Sequence, residues 1–201
     1  AFLASGGMSD VYRAHDTRLE RPVALKVLTP CVTTDADRVV RFAQEARTTA
    51  LVNHPNIVAV YDVGVDRGLS YVVSELLTGE TLRGCLKNGA VPVRTAIAYA
   101  LEIARGLIAA HHLDVVHRDL KPENIFITTQ EGTERLKILD YGIAQAKTLA
   151  EQAVGRVTNG DPLNAFSPAY GAPEQWAPKR FGQAGTWTDV WGLALTMVEA
   201  L

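Results

Sequence analysis

The sequence has few cysteines, almost no excess charge and no long apolar run, and each shortage argues against a class of protein. Its two cysteines, Cys31 and Cys85, lie far apart and in no metal-like spacing, so a disulfide framework is not expected and a reducing compartment is the simpler interpretation. The formal net charge of −2 gives no reason to expect a nucleic-acid partner. No uncharged apolar run approaches the roughly 20 residues that span a bilayer, so we expect no membrane contact by this segment.

The composition is otherwise that of an ordinary globular protein. Of its 201 residues, 47% are hydrophobic and 21% are charged, enough for one large domain or two small lobes. The chain begins inside an apparent motif at Ala1 and stops inside a helical pattern at Leu201. We therefore expect a fragment truncated at both ends, which would be less stable than the whole domain.

One polar stretch, residues 116–124, carries most of the chemical information. It reads Val-His-Arg-Asp-Leu-Lys-Pro-Glu-Asn and is followed at once by an apolar run, Ile125–Ile127. Pro122 interrupts regular backbone pairing, while Asp119 and Asn124 favour turns. The pattern predicts a loop in front of a short strand, and loops held by a rigid scaffold often carry catalytic groups.

This stretch matches the protein kinase pattern H-R-D-L-x-x-x-N at every defined position. The chain resembles the Ser/Thr protein kinase family, and its bacterial branch in particular. The resemblance implies an α+β, bilobal fold with a β-rich N-lobe over residues 1–77 and a mainly helical, incomplete C-lobe over residues 78–201. It also implies ATP bound between the lobes together with Mg²⁺.

The resemblance assigns a role to several residues of this loop. Asp119 would accept the proton of the substrate hydroxyl, and Lys121 would contact the transferred phosphate and indicate Ser/Thr specificity. Asn124 would bind magnesium through its side-chain oxygen. Arg118 would hold a phosphate on the activation segment. A surface turn that matches by chance is the alternative, and so many fixed positions argue against it.

A glycine-rich turn near the start predicts a hairpin between two strands. By resemblance, Gly6, Gly7 and Val11 belong to the loop that covers the ATP phosphates, where glycine allows close approach of backbone N–H groups. Ala4 and Ser9 stand where that family pattern has its first and third glycines. An ordinary β-turn is the alternative interpretation.

Lys26 interrupts an apolar strand, and a buried lysine is costly unless it is paired. By resemblance it contacts the ATP phosphates and pairs with Glu45, which follows 19 positions later on a predicted helix. The alternatives are an edge strand whose lysine reaches solvent and a glutamate that is merely solvated. We favour the pair because Lys26 has no other candidate partner in the sequence.

Further nucleotide contacts follow from the same resemblance. Glu75 to Leu77 would form the hinge whose backbone binds the adenine edge. Val11 and Ala24 would lie above the adenine, with Phe126 below it. Asp140, in Asp140-Tyr141-Gly142, would be the second magnesium ligand, with the ring of Tyr141 filling the slot usually taken by phenylalanine.

Three later segments complete the pattern. Residues 93–112 predict a scaffold helix, with a stripe formed by Val93, Ile97, Leu101, Ala104 and Ile108. Residues 143–171 would be the activation segment, where Ser167 would touch Asp119 and Lys121, and where Thr158, Thr148 or no residue at all would be phosphorylated. Residues 186–201 predict a helix capped at Thr188-Asp189, with Asp189 accepting hydrogen bonds from the catalytic loop.

The sequence is thus interpreted as an ATP-dependent protein serine/threonine kinase of signalling. Its partner would be a protein with a Ser or Thr acceptor, and a dimer could support autophosphorylation. The location would be cytoplasmic, either as a soluble protein or as the cytoplasmic domain of a membrane-anchored kinase. A pseudokinase or ATP-binding scaffold is the alternative, suggested by Ala4 and Ser9. A small-molecule phosphotransferase is less consistent with Lys121 and with Ala172-Pro173-Glu174. A purely structural protein is less consistent with the presence of two magnesium ligands.

Overall fold

In the computed structural model the described residues are 1–6, 9–28, 50–130, 132–141 and 166–201. The first part of the chain forms an antiparallel sheet of five strands: β1 (Phe2–Gly6), β2 (Ser9–Asp16), β3 (Arg21–Leu28), β4 (Val60–Asp66) and β5 (Leu69–Glu75). Their order in the sheet is β1-β2-β3-β5-β4. Strand β3 is therefore central, which sets Lys26 between Val11 of β2 and Val72 of β5.

A second, smaller sheet belongs to the rest of the chain. Its three strands are β6 (Gly79–Thr81), β7 (Ile125–Gln130) and β8 (Thr133–Ile138), in that order. The strand predicted after residues 116–124 is confirmed as β7, which forms a hairpin with β8. The described helices are α1 (Leu82–Leu86), α2 (Val93–His111), α3 (Pro173–Trp176), α4 (Pro178–Phe181) and α5 (Thr186–Ala200), with short 3-10 turns at Pro122–Asn124 and Pro168–Tyr170.

Helix α2 has nearly the predicted bounds, but its buried face is not the predicted stripe. Leu101, Ile97 and Ile108 are more than half exposed, whereas Ile103 and Leu107 are buried. The buried face packs against β8 and α5, and Gly106 lets the helix approach Asn56 and Ile138 closely. The largest core cluster of the described residues is built around this face, with Ile57, Leu82, Ile125 and Ile138.

Segment 54–59 joins the two sheets. Ile57 forms an isolated parallel bridge with Ile138, made of hydrogen bonds from the Ile138 amide to the Asn56 carbonyl (2.8 Å) and from the Val58 amide to the Ile138 carbonyl (3.0 Å). The Asn56 side chain donates to Glu102 on α2 at 2.8 Å. This segment therefore ties the five-stranded sheet to both β8 and α2.

Helix α5 starts at Thr186, as the sequence predicted, but its N-cap differs from the predicted one. Its N-cap is Gly185, and Thr188 lies in the first turn, where its hydroxyl accepts a hydrogen bond from the Gly185 amide at 3.0 Å. The predicted cap at Thr188-Asp189 is thus wrong, because Asp189 already lies inside the helix and is fully buried. Across the described ranges, no helix combines the length and apolarity that crossing a membrane requires.

Candidate active site

The backbone of the loop at residues 117–119 is held by Asp189 of α5. This fully buried carboxylate accepts hydrogen bonds from the amides of His117 (2.8 Å) and Arg118 (2.7 Å), and it contacts His111 Nε2 at 2.8 Å. At Gly192, one turn further along α5, an added Cβ would lie 2.9 Å from the Leu120 carbonyl oxygen. The helix can therefore lie directly against the loop.

Asp119, the proposed base, lies at the centre of this loop and is 8% exposed. One carboxylate oxygen is 2.8 Å from Lys121 Nζ, and the other accepts a hydrogen bond from the Ser167 amide at 2.9 Å. The Lys121 ammonium also donates to the Ser167 hydroxyl. The predicted contact of Ser167 with both residues is present, and it fixes the orientation of the carboxylate.

His117 hydrogen-bonds to the backbone of Asp119 and so stabilises the loop. Its Nδ1 accepts the Asp119 amide at 3.2 Å, so its Nε2 carries the proton and donates to the Leu139 carbonyl at 2.8 Å. The ring of Tyr141 meets it edge-on, with 4.8 Å between ring centroids. Tyr141 is buried, and this burial raises the pKa of its hydroxyl. The tyrosine ring thus fills a buried slot next to the catalytic loop.

The two predicted magnesium ligands, Asn124 and Asp140, lie on segments whose backbones are hydrogen-bonded to each other. The Leu139 amide, next to Asp140, donates to the Asn124 carbonyl at 2.8 Å. The side-chain nitrogen of Asn124, Nδ2, donates to the Asp119 carbonyl at 2.7 Å. The side-chain oxygen of Asn124 can therefore act as an acceptor. A carboxylate and an amide oxygen are ligands that suit Mg²⁺, so the residues present fit the metal.

Lys26 meets Asp140 across the gap between the two sheets, with 2.6 Å between Nζ and the carboxylate. The sequence did not predict this partner. The predicted partner Glu45 lies outside the described residues, so that pair stays a prediction. Asp140 has a left-handed backbone (φ 59°), as does Arg118 (φ 67°), a strained conformation often found at functional sites.

The remaining predicted nucleotide residues that the structure describes include members of both sheets. Gly6 pairs with Ser9 at the turn between β1 and β2, while Gly7 lies outside the described residues. Ala24 lies opposite Ser74 in the sheet. Phe126 lies in β7, between Thr81 and Lys137 on the flanking strands. The candidate phosphosites Thr148 and Thr158 also lie outside the described residues.

The sequence did not predict two side-chain networks. Glu75, the first residue of the predicted hinge, pairs with Lys137 of β8 at 2.6 Å. A lysine between two apolar residues, the same signal that drew attention to Lys26, could have singled out Lys137 but not its partner.

The second network surrounds Arg83 of α1. Its guanidinium contacts Glu123 (2.7 Å), Tyr170 (2.6 Å) and Glu199. Arg83 and then Tyr170 hold the pKa of the Glu199 carboxyl below its usual value, while burial and the bond to Glu199 raise the pKa of Tyr170 to about 12. The network joins α1 and α5 to the turns that follow Lys121 and Ser167.

Asp119 and Lys121 lie on a loop whose backbone is held by the buried carboxylate of Asp189, and Lys26 of the five-stranded sheet contacts Asp140. This arrangement is typical of a phosphotransferase. The whole chain, residues 1–201, matches the protein kinase domain family. The chain therefore belongs to the protein kinase family, and it has the two-lobed α+β fold of that family.

Its relatives include bacterial serine/threonine-protein kinases. PknL of Mycobacterium tuberculosis is 40% identical over 202 residues, which cover 100% of this chain and 48% of PknL. PknA of the same species is 38% identical over 205 residues, covering 99% of this chain and 45% of PknA. The chain thus spans about half the length of these relatives. The solved kinase domain of M. tuberculosis PknI superposes with a TM-score of 0.77 and 25% identity, over 99% of this chain and 71% of that one.

Proposed function

We propose that this chain is the catalytic part of an ATP-dependent protein serine/threonine kinase. The observation that carries the proposal is the arrangement of Asp119, Lys121 and Ser167, in which a buried carboxylate is fixed by an ammonium group and a backbone amide. Such fixed positioning is what phosphoryl transfer needs most, because it requires little covalent help from the protein.

In the proposed reaction, Asp119 orients a Ser or Thr hydroxyl of the protein substrate and takes its proton. The hydroxyl oxygen forms a bond to the γ-phosphorus while the bond from that phosphorus to the β–γ bridging oxygen breaks, and ADP leaves. Lys121, 2.8 Å from the base, offers positive charge to the transferred phosphoryl group. Its own contact with Ser167 holds the end of the activation segment beside the acceptor.

Lys26, Asn124 and Asp140 would serve the phosphates. Bound magnesium would supply positive charge that neutralises the phosphates. The Asn124 oxygen and the Asp140 carboxylate would hold it, and Lys26, which contacts Asp140 at 2.6 Å, can turn its ammonium to the phosphates. The Gly6–Gly7 turn and Val11 would cover them. Glu45 would pair with Lys26.

The adenine would lie between Ala24 and Val11 on one side and Phe126 on the other. Its edge would bond to backbone groups of the hinge, from Glu75 to Leu77. The protein substrate, a cytoplasmic location and a dimer for autophosphorylation belong to the same proposal, as does phosphorylation of Thr158 or Thr148.

Transfer of labelled γ-phosphate by the full-length protein, compared with an Asp119→Asn variant, tests the proposal. Loss of the base should lower the rate by about 10²–10⁴-fold. Asp114→Asn is the matched control, because Asp114 is exposed and has a left-handed backbone that asparagine tolerates (φ 57°). Equal incorporation by wild type and Asp119→Asn would refute the kinase function, and ATP binding without transfer by the wild type would identify a pseudokinase.

A further inference from the structure

Lys137 is a buried cation at the junction of the two sheets. It belongs to β8, where its neighbours Leu136 and Ile138 are core residues, and it is 8% exposed. Its ammonium contacts the Glu75 carboxylate at 2.6 Å and the Ile57 carbonyl at 3.5 Å. Taking an ammonium and a carboxylate largely out of water is costly and contributes little net stability, so the pair calls for an explanation other than stability.

The Glu75 carboxylate is held from both sheets. The oxygen that contacts Lys137 also accepts the Ala59 amide at 2.8 Å, and the Glu75 amide donates to the Ala59 carbonyl at 2.9 Å. Side chain and backbone of this first hinge residue are thus both fixed. Lys137 supplies the contact from the smaller sheet, so it sets where the hinge lies relative to that sheet.

The position of Lys137 within β8 connects it to the nucleotide site. Lys137 is paired directly with Phe126 across the β7–β8 hairpin, so both side chains share a face and their Cβ atoms are neighbours. Three residues later the same segment supplies Asp140, which contacts Lys26. The Lys137 side chain therefore contacts the hinge residue Glu75 and lies beside Phe126, which is proposed to pack under the adenine. In the sequence, Lys137 precedes the proposed metal ligand Asp140 by three residues.

We propose that Lys137 is a positioning residue of the nucleotide site, which acts through Glu75 to hold the hinge at the correct distance from Phe126. The inference rests on the proposed ATP-dependent function and assigns to that site a residue that does not touch the nucleotide. The Lys137–Glu75 pair acts on adenine recognition, whereas Lys26 acts on the phosphates.

The test is calorimetric binding of MgATP and of adenosine to the full-length protein and to Lys137→Met. Loss of a charge-assisted contact that preorganises the hinge should weaken both ligands by a similar factor, on the order of tenfold. Lys26→Met should weaken MgATP far more than adenosine. Arg135→Met is the control, because Arg135 lies on the same strand and its side chain is 55% exposed.

A double variant, Glu75→Gln with Lys137→Met, separates positioning from stability. It removes the unpaired buried charge while keeping an acceptor for the Ala59 amide, so its melting temperature should rise above that of Lys137→Met. The affinity for adenosine should stay weak if Lys137 positions the hinge. Affinity that recovers together with the melting temperature, or that never falls in the single variant, overturns the proposal.

Amide hydrogen exchange in the nucleotide-free protein provides a readout that does not need binding. Exchange at residues 59 and 75–77 should be faster in Lys137→Met than in the wild type or Arg135→Met. Unchanged exchange there contradicts the inference. A wild-type protein that binds neither ligand contradicts the proposed function itself, and exchange alone then shows whether Lys137 fixes the hinge.

Discussion

At the scale of single residues, the oxygens of Asp119 are engaged by different partners: one by the Lys121 ammonium and one by the Ser167 amide. The resemblance to the kinase family predicted these three residues: Asp119 and Lys121 belong to the loop motif, and Ser167 belongs to the predicted activation segment, 48 positions beyond Asp119. The partner found for Lys26 was not predictable in the same way. Asp140 lies 114 positions from it, and the motif assigns that aspartate to the metal.

Ser167→Ala should lower kcat/KM for the protein substrate by about tenfold, since one hydrogen bond to a charged group is worth about 1.5–3 kcal/mol. The variant loses the hydroxyl that contacts Lys121 but keeps the amide bonded to Asp119. Ser167→Thr restores a hydroxyl and is expected to retain most activity. Steady-state phosphorylation assays measure this, and an alanine variant as active as the wild type would show that the hydroxyl is dispensable.

His54 should make stability depend on pH. Burial, and then the charges of Arg105 and Lys137, lower the pKa of its imidazole below 6.5, and Nδ1 accepts the Asn56 amide at 3.1 Å. Because the folded state favours the neutral ring, this contribution is present above pH 6.5 and is lost as pH falls through the lower folded-state pKa. Urea unfolding at several pH values should show a weaker pH dependence for His54→Asn, and identical slopes would exclude this role.

At the scale of elements, helix α2 shows what periodicity leaves open. The predicted stripe was real as a pattern, yet Ala96, Tyr99, Ile103 and Leu107 form the buried face instead. Apolar residues occur on both sides of this helix, so spacing alone could not choose between them. Packing against β8 and α5 determines which face of α2 is buried. The sequence of α2 by itself does not contain the information about these partners.

Asp189 joins α5 to the catalytic loop, and its removal should affect both stability and activity. Asp189→Ala leaves the buried amides of His117 and Arg118 without their acceptor, at a cost of about 3 kcal/mol in the free energy of unfolding. Asp66→Ala, at an exposed turn, is the control and should change stability by less than about 0.5 kcal/mol. Denaturant unfolding measures both, and equal values for the two variants would contradict the anchoring role.

At the scale of the whole molecule, the family and the order of its parts followed from the sequence, while the contacts between distant parts did not. Glu75 and Lys137 are 62 positions apart, and Arg83 and Glu199 are 116 apart. Nothing near either residue in the sequence indicates its partner. Such pairs arise only when the two sheets and the helices are brought together, which a local pattern cannot describe.

The exposed stripe of α2 provides a test at this scale, since Ile97 and Leu101 are 57% and 54% exposed in the 201-residue chain. Replacing them together with Glu and Lys should raise the solubility of this chain and change its free energy of unfolding by less than about 0.5 kcal/mol. The substitutions also place an acidic and a basic residue four positions apart on one helix face, which is mildly stabilising.

Leu107→Lys on the same helix is the matched comparison, because Leu107 is 3% exposed and its replacement buries a charge. That variant should unfold or aggregate, whereas the Ile97 and Leu101 double variant should keep the circular dichroism spectrum and cooperative melting of the parent. Soluble yield and thermal melting distinguish the two. A double variant that melts as poorly as Leu107→Lys would mean that the stripe stabilises the fold of this chain, and that the buried face alone does not account for the position of α2.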